Sequence, residues 1–420
     1  MSEIAPALLE QVRKMCADSY WCTRVAAYAG FQGDAAGVID CSIHPDDQML
    51  LHSLRHHQDA NAAFSQYFNV GLQQYRAFRQ VYSLLGIDRR PGAAVLDFAC
   101  GYGRLLRFLS PTFAEGAIWA AEIQPEALAF VRDRFRVKVV PSAYEPGAFQ
   151  PGRSFDLIWV ASLFSHLPGR LFHAWLARLK DCVSESGAIC FSVHGAGLLP
   201  TGESMPPEGI SFRPFSENAD LDADAYGTTY VTEHYVREAV RTVCGAQFDC
   251  HRIPRGLAHE QDLYVIARCG ELDLDVLKGF RYGPWGWVDE RRITRDGQLF
   301  LRGWAASLDD GPVRQVDIRV NGAMHACATG MPREDVERVF GERCLAGSGW
   351  VFTLQLERPA ELRVEVTARD ARGEAALLYA GVLHPEGSDT GVQAPRSEML
   401  ALGRRAAARL RALLGFSPKI

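Results

Sequence analysis

The sequence lacks the cysteine patterns that build zinc ribbons and disulfide frameworks. Its 420 residues include 11 cysteines, an odd number, and no two of them form a C-x-x-C pair. Because they are scattered through segments of ordinary composition, we interpret them as reduced and mostly buried thiols. The run HHQDAN at 56–61 places His beside Asp, but neighbours on a helix point in different directions. We therefore interpret that run as a polar helix surface and predict no metal site.

Two further absences narrow the class of protein. No uninterrupted run of about 18 apolar residues occurs, and the stretch MSEIAPALLEQ is acidic without an apolar segment, so neither a membrane span nor a signal peptide is predicted. The formal net charge of −5 gives no electrostatic reason to expect nucleic acid. We expect a cytoplasmic protein with no nucleic-acid partner.

The length and the 48% hydrophobic content are enough for two or three domains with cores of their own. Residues 1–90 show helical spacing of apolar residues, and we interpret them as a helical N-terminal region or lid. From residue 91 to 270, short apolar runs alternate with helical patterns. This alternation predicts an α/β domain whose parallel sheet is covered by helices on both faces.

The composition changes after residue 270. The stretch GFRYGPWGWVDERR is rich in glycine, aromatic and charged residues, and residues 271–292 are predicted to form a linker. Between 293 and 386 the apolar residues alternate with a two-residue period, as in QVDIRV, and Asn321-Gly322 is typical of a tight hairpin. An all-β sandwich is predicted there. The segment 395–420 has the pattern of one basic helix.

The stretch VLDFACGYGRLLRFL at 95–109 combines a predicted strand, a Gly-x-Gly turn and a helix predicted from Arg104. Glycines let a backbone approach a ligand, and N–H groups at a helix start favour an anion such as a carboxylate. The nicotinamide fingerprint is not met, because Leu106 stands at its third glycine, and Asp97 would repel a pyrophosphate. An acid here suits a cationic group, such as the amino group or sulfonium of S-adenosylmethionine.

A second acid fits the same ligand. Glu122 ends the predicted strand AIWAAEI about twenty residues after the glycines, where a carboxylate can accept hydrogen bonds from both ribose hydroxyls. A solvated charge at a strand end is the alternative interpretation of Glu122 alone. Taken together, Asp97, Gly101, Gly103 and Glu122 favour a nucleotide that carries an amino acid.

On these residues the chain resembles the class I S-adenosylmethionine-dependent methyltransferases over roughly residues 60–270. More narrowly, it resembles a bacterial subgroup with a first motif D-[FW]-G-C-G-x-G-R and later S-x-F-[ST]-H-L, H-G and Y-G-x-x-[FY] segments. The matching stretches are DFACGYGR, SLFSHLP, SVHG and YGTTYVTEHYV. Ala99 departs from the pattern, which usually has glycine there, and this change narrows the freedom of the turn without removing the site.

The resemblance implies a Rossmann-like methyltransferase domain with S-adenosylmethionine as its cofactor. Every residue that it implies in cofactor binding follows a predicted strand or lies in the glycine loop. These residues are Asp97, Ala99, Cys100, Gly101 and Gly103 for the methionine moiety, Glu122 for the ribose, Ile123, Ser142 and Ala143 for the adenine, and Ala161 and Leu163 for the pocket floor beside the methyl group.

Three residues, His166, His194 and Tyr230, are candidates for catalysis. Methyl transfer from a sulfonium is an in-line displacement in which positioning supplies much of the rate, so a base is needed only for a protonated acceptor. His166 could deprotonate or orient a hydroxyl, and His194 ends a strand at the same predicted sheet edge. Tyr230 and Tyr67 are candidates for lining the acceptor pocket. For all four side chains, a structural role in a loop, helix cap or core is the alternative interpretation.

The predicted sandwich resembles the immunoglobulin-like modules appended to bacterial methyltransferases and glycosyltransferases, on the stretches RGWAASLDDGPVRQVDIRVNGAMH, PREDVERVF and GSGWVFTLQL. Its tryptophans, Trp285, Trp287, Trp304 and Trp350, either form a carbohydrate-stacking surface or fill a core or domain interface. The basic helix at 395–420 carries leucines at helical spacing. It is predicted to contact an anionic membrane surface or, alternatively, the acidic surface of the chain or of a partner subunit.

The expected function is S-adenosylmethionine-dependent methyl transfer, with O-methylation of a small or glycan-like acceptor favoured by analogy with the family. One rival is a cofactor-binding scaffold or glycan-binding protein without turnover. A second rival is a nicotinamide-dependent oxidoreductase, against which Asp97 and the missing third glycine count. Nothing in the sequence excludes the scaffold or glycan-binding protein.

Overall fold

A computed structural model describes residues 4–31, 39–200, 202–215, 221–358 and 360–387. The chain forms two compact units, one made of Met1–Leu72 with Tyr282–Ile420 and the other of Gln73–Arg281. Within those described ranges, no helix combines the length and the apolar character that crossing a membrane requires. The predicted basic helix at 395–420 lies outside the described residues. The domain boundaries given in the sequence analysis remain predictions.

The unit Gln73–Arg281 is an α/β structure built on one sheet. Its helices are the later part of α4 (Ala60–Leu84), α5 (Leu106–Leu109), α6 (Pro125–Phe135), α7 (Gly169–Lys180) and α8 (Glu233–Cys244). Its strands are β1 (Val95–Phe98), β2 (Ile118–Glu122), β3 (Lys138–Pro141), β4 (Phe155–Val160), β5 (Val183–Gly195), β6 (Ile210–Arg213), β7 (Thr228–Val231), β8 (Phe248–Leu257) and β9 (Gln261–Arg268).

The sheet of this unit is mixed, so the prediction of a parallel sheet is wrong at one end. Strands β3, β2, β1, β4 and β5 lie side by side in that order and are parallel, whereas β9 is antiparallel to β5 and β8 is antiparallel to β9. The reason is local: a short turn joins β8 to β9, and a short connection can only join antiparallel strands. Strands β6 and β7 extend from the end of β5, where Tyr230 pairs with His194.

The burial of the central strands explains why their sequences are continuous runs of apolar residues. All four residues of β1 are buried, and so are five of the six in β4. Strands buried on both faces carry no polar alternation. The aromatic side chains of the shared core are Phe98, Phe149, Phe155, Phe164, Phe172, Trp175, Phe191, Phe248 and Tyr264.

The other unit contains α1 (Pro6–Ala17), α2 (Ser19–Tyr28), α3 (Gln48–His57), the start of α4 and α9 (Glu334–Phe340). Its strands are β10 (Pro284–Ile293), β11 (Gln298–Ser307), β12 (Gly311–Pro312), β13 (Gln315–Val320), β14 (Ala323–Ala328), β15 (Gly349–Gln355), β16 (Leu362–Arg369) and β17 (Ala375–Leu383). They form two antiparallel sheets: one has β11 between β10 and β15 and also pairing β12, and the other has the order β14-β13-β16-β17.

The predicted hairpin and the two-residue period are both confirmed. Asn321 and Gly322 take φ of 47° and 92°, the left-handed pair that a tight hairpin turn requires. Val316, Ile318 and Val320 of β13 are buried in a core that both sheets share. The register follows because a one-residue slip would turn these three side chains to the opposite face.

Residues 284–292, predicted as part of the linker, instead belong to strand β10 (Pro284–Ile293). The aromatic-rich composition that suggested a boundary reflects side chains that pack in this unit. Trp304 and Trp350 are only 2% and 0% exposed, so these two tryptophans fill cores, as the second interpretation holds. Trp287 is half-buried and stacks on the ring of His57, with the ring centroids 5.0 Å apart.

The run HHQDAN is not the polar helix surface that its composition predicts. The His57 ring lies against Trp287, and its Nε2 is 3.0 Å from Gln66 Oε1. Asp59 accepts a hydrogen bond from the Arg291 guanidinium of β10. The His57–Trp287 and Asp59–Arg291 contacts join the N-terminal helices to strand β10. Each pair is more than two hundred residues apart in sequence, so the local spacing of apolar residues does not predict it.

A buried glutamate fastens helix α2 to the second sheet. Glu365 of β16 is 2% exposed and accepts hydrogen bonds from the hydroxyls of Tyr20 and Tyr28 and, at 2.8 Å, from Arg24 Nε. Its neighbours Val364 and Val366 are in the sandwich core. Because successive side chains of a strand point to opposite faces, helix α2 covers the outer face of this sheet.

Helix α4 begins against the same sheet. Ser65 donates a hydrogen bond to the Ala380 carbonyl at 3.1 Å, and Asn61 donates to the Val382 carbonyl at 2.9 Å. A Cβ atom on Gly381 would lie only 2.4 Å from Asn61, so glycine permits this close approach. Tyr67, a candidate for the acceptor pocket, is 1% exposed and donates its hydroxyl to Asp47 at 2.7 Å, as its core interpretation holds.

We predict that Glu365→Ala lowers the free energy of unfolding of this unit by about 3 kcal/mol, because it leaves a half-buried guanidinium and two phenols without their acceptor. Urea unfolding followed by tryptophan fluorescence measures the loss. The control is Glu361→Ala, since that side chain is 64% exposed and is expected to change stability by under about 0.5 kcal/mol. Equal effects of the two substitutions would contradict the buried role of Glu365.

Candidate functional site

The candidate site lies at the carboxyl edge of the parallel strands in the unit Gln73–Arg281. Strands β2, β1, β4 and β5 are neighbours in that order and end at Glu122, Phe98, Val160 and Gly195. Carboxyl ends of parallel strands meet at one edge, and neighbouring strands are about 5 Å apart. Strands β1 and β5 are two strand spacings apart, about 10 Å across the sheet.

Asp97 is a buried acid without a partner. It lies in β1 and is 3% exposed, and its Oδ2 is buried with no hydrogen-bond partner in the part of the chain that the structure describes. Burial, together with the nearby Glu122, raises the pKa of Asp97 to about 8. A carboxyl group held in this state gains most from a cationic ligand group, which restores the charge that burial suppresses.

The loop after β1 takes left-handed backbone at three positions. Ala99, Gly101 and Gly103 have φ of 58°, 54° and 78°. For Ala99 this conformation costs about 1 kcal/mol more than it does for glycine, so the departure from the family pattern is tolerated as strain. A Cβ on Gly103 would lie 2.4 Å from the Phe135 ring of α6, so this glycine provides the close helix contact that the third fingerprint glycine provides elsewhere.

Two expectations about this loop are wrong. The helix predicted from Arg104 is a single turn, α5, so it contributes little dipole to the site. Three loop N–H groups expected for a ligand carboxylate are used within the protein: Cys100 donates to the Ala121 carbonyl at 3.1 Å, Gly103 donates to the Cys100 carbonyl at 3.1 Å, and Gly101 donates to Glu122.

Glu122 is held by backbone donors rather than exposed to solvent. Its Oε2 accepts from Gly101 N–H at 2.9 Å, and its Oε1 accepts from Ile123 N–H at 2.7 Å and Gln124 N–H at 3.1 Å. It is 7% exposed, and burial raises its pKa while these hydrogen bonds lower it. Each carboxylate oxygen can accept more than one hydrogen bond, so this arrangement still leaves capacity for a ligand hydroxyl.

The residues predicted around an adenine follow the next two strands. Ile123 is half-buried directly after β2, and Ser142 and Ala143 are half-buried directly after β3. Ser142 N–H donates to the Glu122 carbonyl at 2.9 Å, which holds the two strand ends together. In the strand order β3-β2-β1-β4, these residues therefore lie at the ends of β2 and β3, on the opposite side of β1 from β4.

The turn after β4 contains Ala161, Ser162 and Leu163, all half-buried. Ser162 has φ of 61°, a second strained non-glycine residue at this edge. Its N–H donates to Ser192 Oγ of β5 at 2.7 Å. Strain of about 1–3 kcal/mol persists only where surrounding contacts hold it, and such positions cluster at functional sites.

The three predicted catalytic residues form one cluster. The ring centroids of His166 and His194 are 6.0 Å apart, and those of His194 and Tyr230 are 5.5 Å apart. His166 Nδ1 lies 2.6 Å from the Gly227 carbonyl, so Nδ1 carries the proton and donates it. Its ring stacks on Tyr226, with centroids 4.6 Å apart. In the neutral ring, the lone pair is therefore at Nε2.

His194 also accepts at Nε2, in its case from a side chain of the same unit. This nitrogen is 3.3 Å from Gln261 Nε2, an amide donor, and burial together with the nearby His166 lowers the pKa of His194 to about 3. The ring is thus neutral at physiological pH, with its accepting nitrogen already occupied by the amide. His166, whose Nδ1 is held by the Gly227 carbonyl, stays the candidate general base.

Four residues of this cluster were not among the predicted site residues. Tyr226 and Gly227 reach His166 from the segment before β7, and Ser192 and Gln261 reach the turn after β4 from strands β5 and β9. Three of them, Tyr226, Gly227 and Ser192, lie in the motif stretches YGTTYVTEHYV and SVHG, which were the available hints. Gln261 comes from a strand hairpin whose register the sequence does not specify.

Comparison with known proteins bears on the first of these loops directly. Residues 95–187 match the family model described as a methyltransferase domain. This range begins at β1 and ends in β5, so it includes the glycine loop, Glu122 and the turn after β4. No protein of curated function matched the sequence.

Solved structures give distant similarities. An S-adenosylmethionine-dependent methyltransferase from Clostridium acetobutylicum is 14% identical, with a TM-score of 0.35, over 47% of this chain and 92% of that one. The glycopeptide N-methyltransferase MtfA is 18% identical, with a TM-score of 0.32, over 46% and 86%. An amino pentose methyltransferase from Micromonospora echinaspora, involved in calicheamicin biosynthesis, is 16% identical, with a TM-score of 0.34, over 47% and 91%.

These similarities are too low to say anything about the acceptor. The family match and the paired buried acids at the glycine loop agree with one another. Residues 95–187 therefore belong to a methyltransferase domain that contains this loop.

Proposed function

We propose that this protein is an S-adenosylmethionine-dependent methyltransferase that methylates an oxygen atom of a small or glycan-like acceptor, with His166 as the general base. The observation that carries the proposal is the hydrogen bond from His166 Nδ1 to the Gly227 carbonyl at 2.6 Å, which sets the lone pair at Nε2. A hydroxyl group is a weak nucleophile until it loses its proton, so a base of fixed tautomer favours oxygen as the accepting atom.

S-adenosylmethionine, when bound, supplies an activated methyl group on a sulfonium. The methyl carbon would be supplied to the acceptor hydroxyl oxygen as its bond to sulfur breaks, and His166 Nε2 would take the hydroxyl proton. Tyr226 holds the imidazole plane by stacking, and Gly227 holds its rotation through Nδ1. His194 stays neutral beside it, so a proton gained by His166 meets no second positive charge.

The cofactor has a fitting set of residues in the first loops. Asp97 offers a buried, unpartnered carboxyl oxygen to its ammonium group, and Glu122 offers its carboxylate to the ribose. The turn backbone of Ala99, Cys100, Gly101 and Gly103 would contact the methionine moiety. The remaining proposed contacts are Ile123, Ser142 and Ala143 for the adenine and Ala161 and Leu163 beside the methyl group.

The sandwich of β10–β17 is proposed to be immunoglobulin-like, on the strand pattern and the two antiparallel sheets that share one core. A glycan acceptor suits such an appended module only through the family analogy stated above. For residues 395–420, contact with an anionic membrane or a partner through the basic helix stays a prediction, as does the cytoplasmic location. Liposome flotation of the full chain and of a chain ending at residue 394 tests the membrane contact.

We predict that the affinity for S-adenosylhomocysteine rises with pH between 6 and 8. In the free protein the pKa of Asp97 is about 8, and a bound ammonium group favours its ionised form, so affinity gains up to about tenfold per pH unit until pH 8. Asp97→Asn is expected to weaken binding at least tenfold and to remove this dependence. Calorimetry measures both, with the exposed Asp249→Asn as the control. Unchanged affinity in Asp97→Asn would show that the motif is misread.

We predict that His166→Gln lowers kcat roughly 100- to 1,000-fold and leaves the affinity for S-adenosylhomocysteine within twofold, because a base contributes to transfer and not to cofactor binding. The control is His173→Gln, since His173 Nδ1 also bonds a backbone carbonyl, that of Gly169 at 2.8 Å, but lies in α7. Equal kcat losses in the two variants would contradict the role of His166.

The acceptor class is tested with methyl-tritiated S-adenosylmethionine and a panel of monosaccharides, oligosaccharides, phenols and primary amines. We expect labelled ethers from hydroxyl-bearing compounds. Label found only on amines would overturn O-methylation. Cofactor binding without label on any compound would instead favour the scaffold interpretation.

A further inference from the structure

Gln261 joins two strand ends at the candidate site. It is the first residue of β9, which pairs antiparallel with β5 so that Ser192 lies opposite Leu263. This register brings the amide of Gln261 to the end of β5 and to the turn after β4. No feature of the sequence marks this glutamine, and no step of the proposed transfer uses it.

The hydrogen bonds of Gln261 fix which end of its amide faces which strand. Its Oε1 accepts from the hydroxyl of Ser192 at 2.6 Å and from that of Ser162 at 3.2 Å. An oxygen that accepts two hydroxyls leaves the NH₂ group to face His194, 3.3 Å away. His194 Nε2 then accepts, and the proton of its neutral ring is at Nδ1, near the Thr229 backbone.

The same hydrogen bonds hold a strained turn. Ser162 has φ of 61°, and its N–H donates to Ser192 Oγ at 2.7 Å. Ser192 is 0% exposed, so no water molecule can replace Gln261 as the hydrogen-bond acceptor of its hydroxyl. Losing the amide would therefore leave a buried hydroxyl without an acceptor and release the turn after β4.

Charged groups around His194 are few and already paired. His166 faces it from the loop after β4, and Tyr230 faces it from β7, with the Arg213 guanidinium over the outer side of that ring. Asp262 lies beside Gly195, and its Oδ2 accepts from Arg252 Nη2 at 2.8 Å. The uncharged Gln261 amide is thus the group that sets the hydrogen-bond role of His194.

We propose that Gln261 is a positioning residue for methyl transfer, whose amide ties the turn at Ser162 to His194 and so keeps the two sides of the site in register. The inference rests on the proposed function for its kinetic consequence. Its structural content, the orientation of His194 and of the Ser162 turn, can be measured without any acceptor.

The first test is the histidine NMR titration of Gln261→Glu, with and without S-adenosylhomocysteine. A carboxylate of the same shape replaces the amide donor with an acceptor, so the His194 titration is expected to move upward by about one pH unit or more. The control is Gln150→Glu, since Gln150 is an exposed glutamine of the same unit. His194→Asn assigns the signal. A His194 titration that is the same in Gln261→Glu and the unaltered protein would overturn the inference.

The second test separates kcat from KM. Gln261→Met is expected to lower kcat roughly 10- to 100-fold while KM for S-adenosylmethionine changes less than threefold, because misplaced groups slow transfer more than binding. Unchanged kcat in Gln261→Met would overturn the inference.

The outcomes for the two proposals are distinguishable. A shifted His194 titration in a protein that transfers no methyl group would support the inference and count against the proposed function alone. Intact methyl transfer with an unshifted His194 titration would contradict the inference and leave the proposed function standing. If Gln261→Met does not fold, Gln261→Glu, which keeps the side-chain shape, decides the question by titration.

Discussion

The site depends on one electrostatic constraint: a carboxyl group is buried in the sheet without a partner. Asp97 is 3% exposed, and its pKa is raised to about 8 because burial disfavours its charge. Nothing in the described part of the chain donates to its Oδ2. Such a group is costly in the free protein and is stabilised by a cation, so the residue that weakens the empty domain favours a cationic ligand group.

The loops around Asp97 follow from this constraint. Ala99, Gly101 and Gly103 reverse the chain in left-handed conformations, which lets the backbone pass close to a ligand while Glu122 accepts one loop N–H. The turn after β4 is strained in the same way at Ser162. Strain at both strand ends is held by contacts with neighbouring strands, so the rigidity of the sheet is what allows the site to be preformed.

Local pattern predicted much of this molecule, and long-range pairing explains what it missed. Asp97, Glu122 and the two glycines were identifiable because charge and glycine spacing are visible in a short stretch, and the β13 hairpin because Asn321-Gly322 specifies a turn. The mixed sheet, the contact of α2 with Glu365 and the place of Gln261 depend on partners far apart in sequence. The Gly101 N–H was misassigned to a ligand because its acceptor, Glu122, follows a different strand.

The central claim is that ligand binding ionises Asp97. The most direct test is calorimetry of S-adenosylhomocysteine binding at pH 7 in two buffers of different ionisation enthalpy, which counts the protons released. With a pKa of about 8 before binding and an ammonium group against the carboxylate afterwards, the account predicts release of about one proton. Tight binding with no proton release would contradict it.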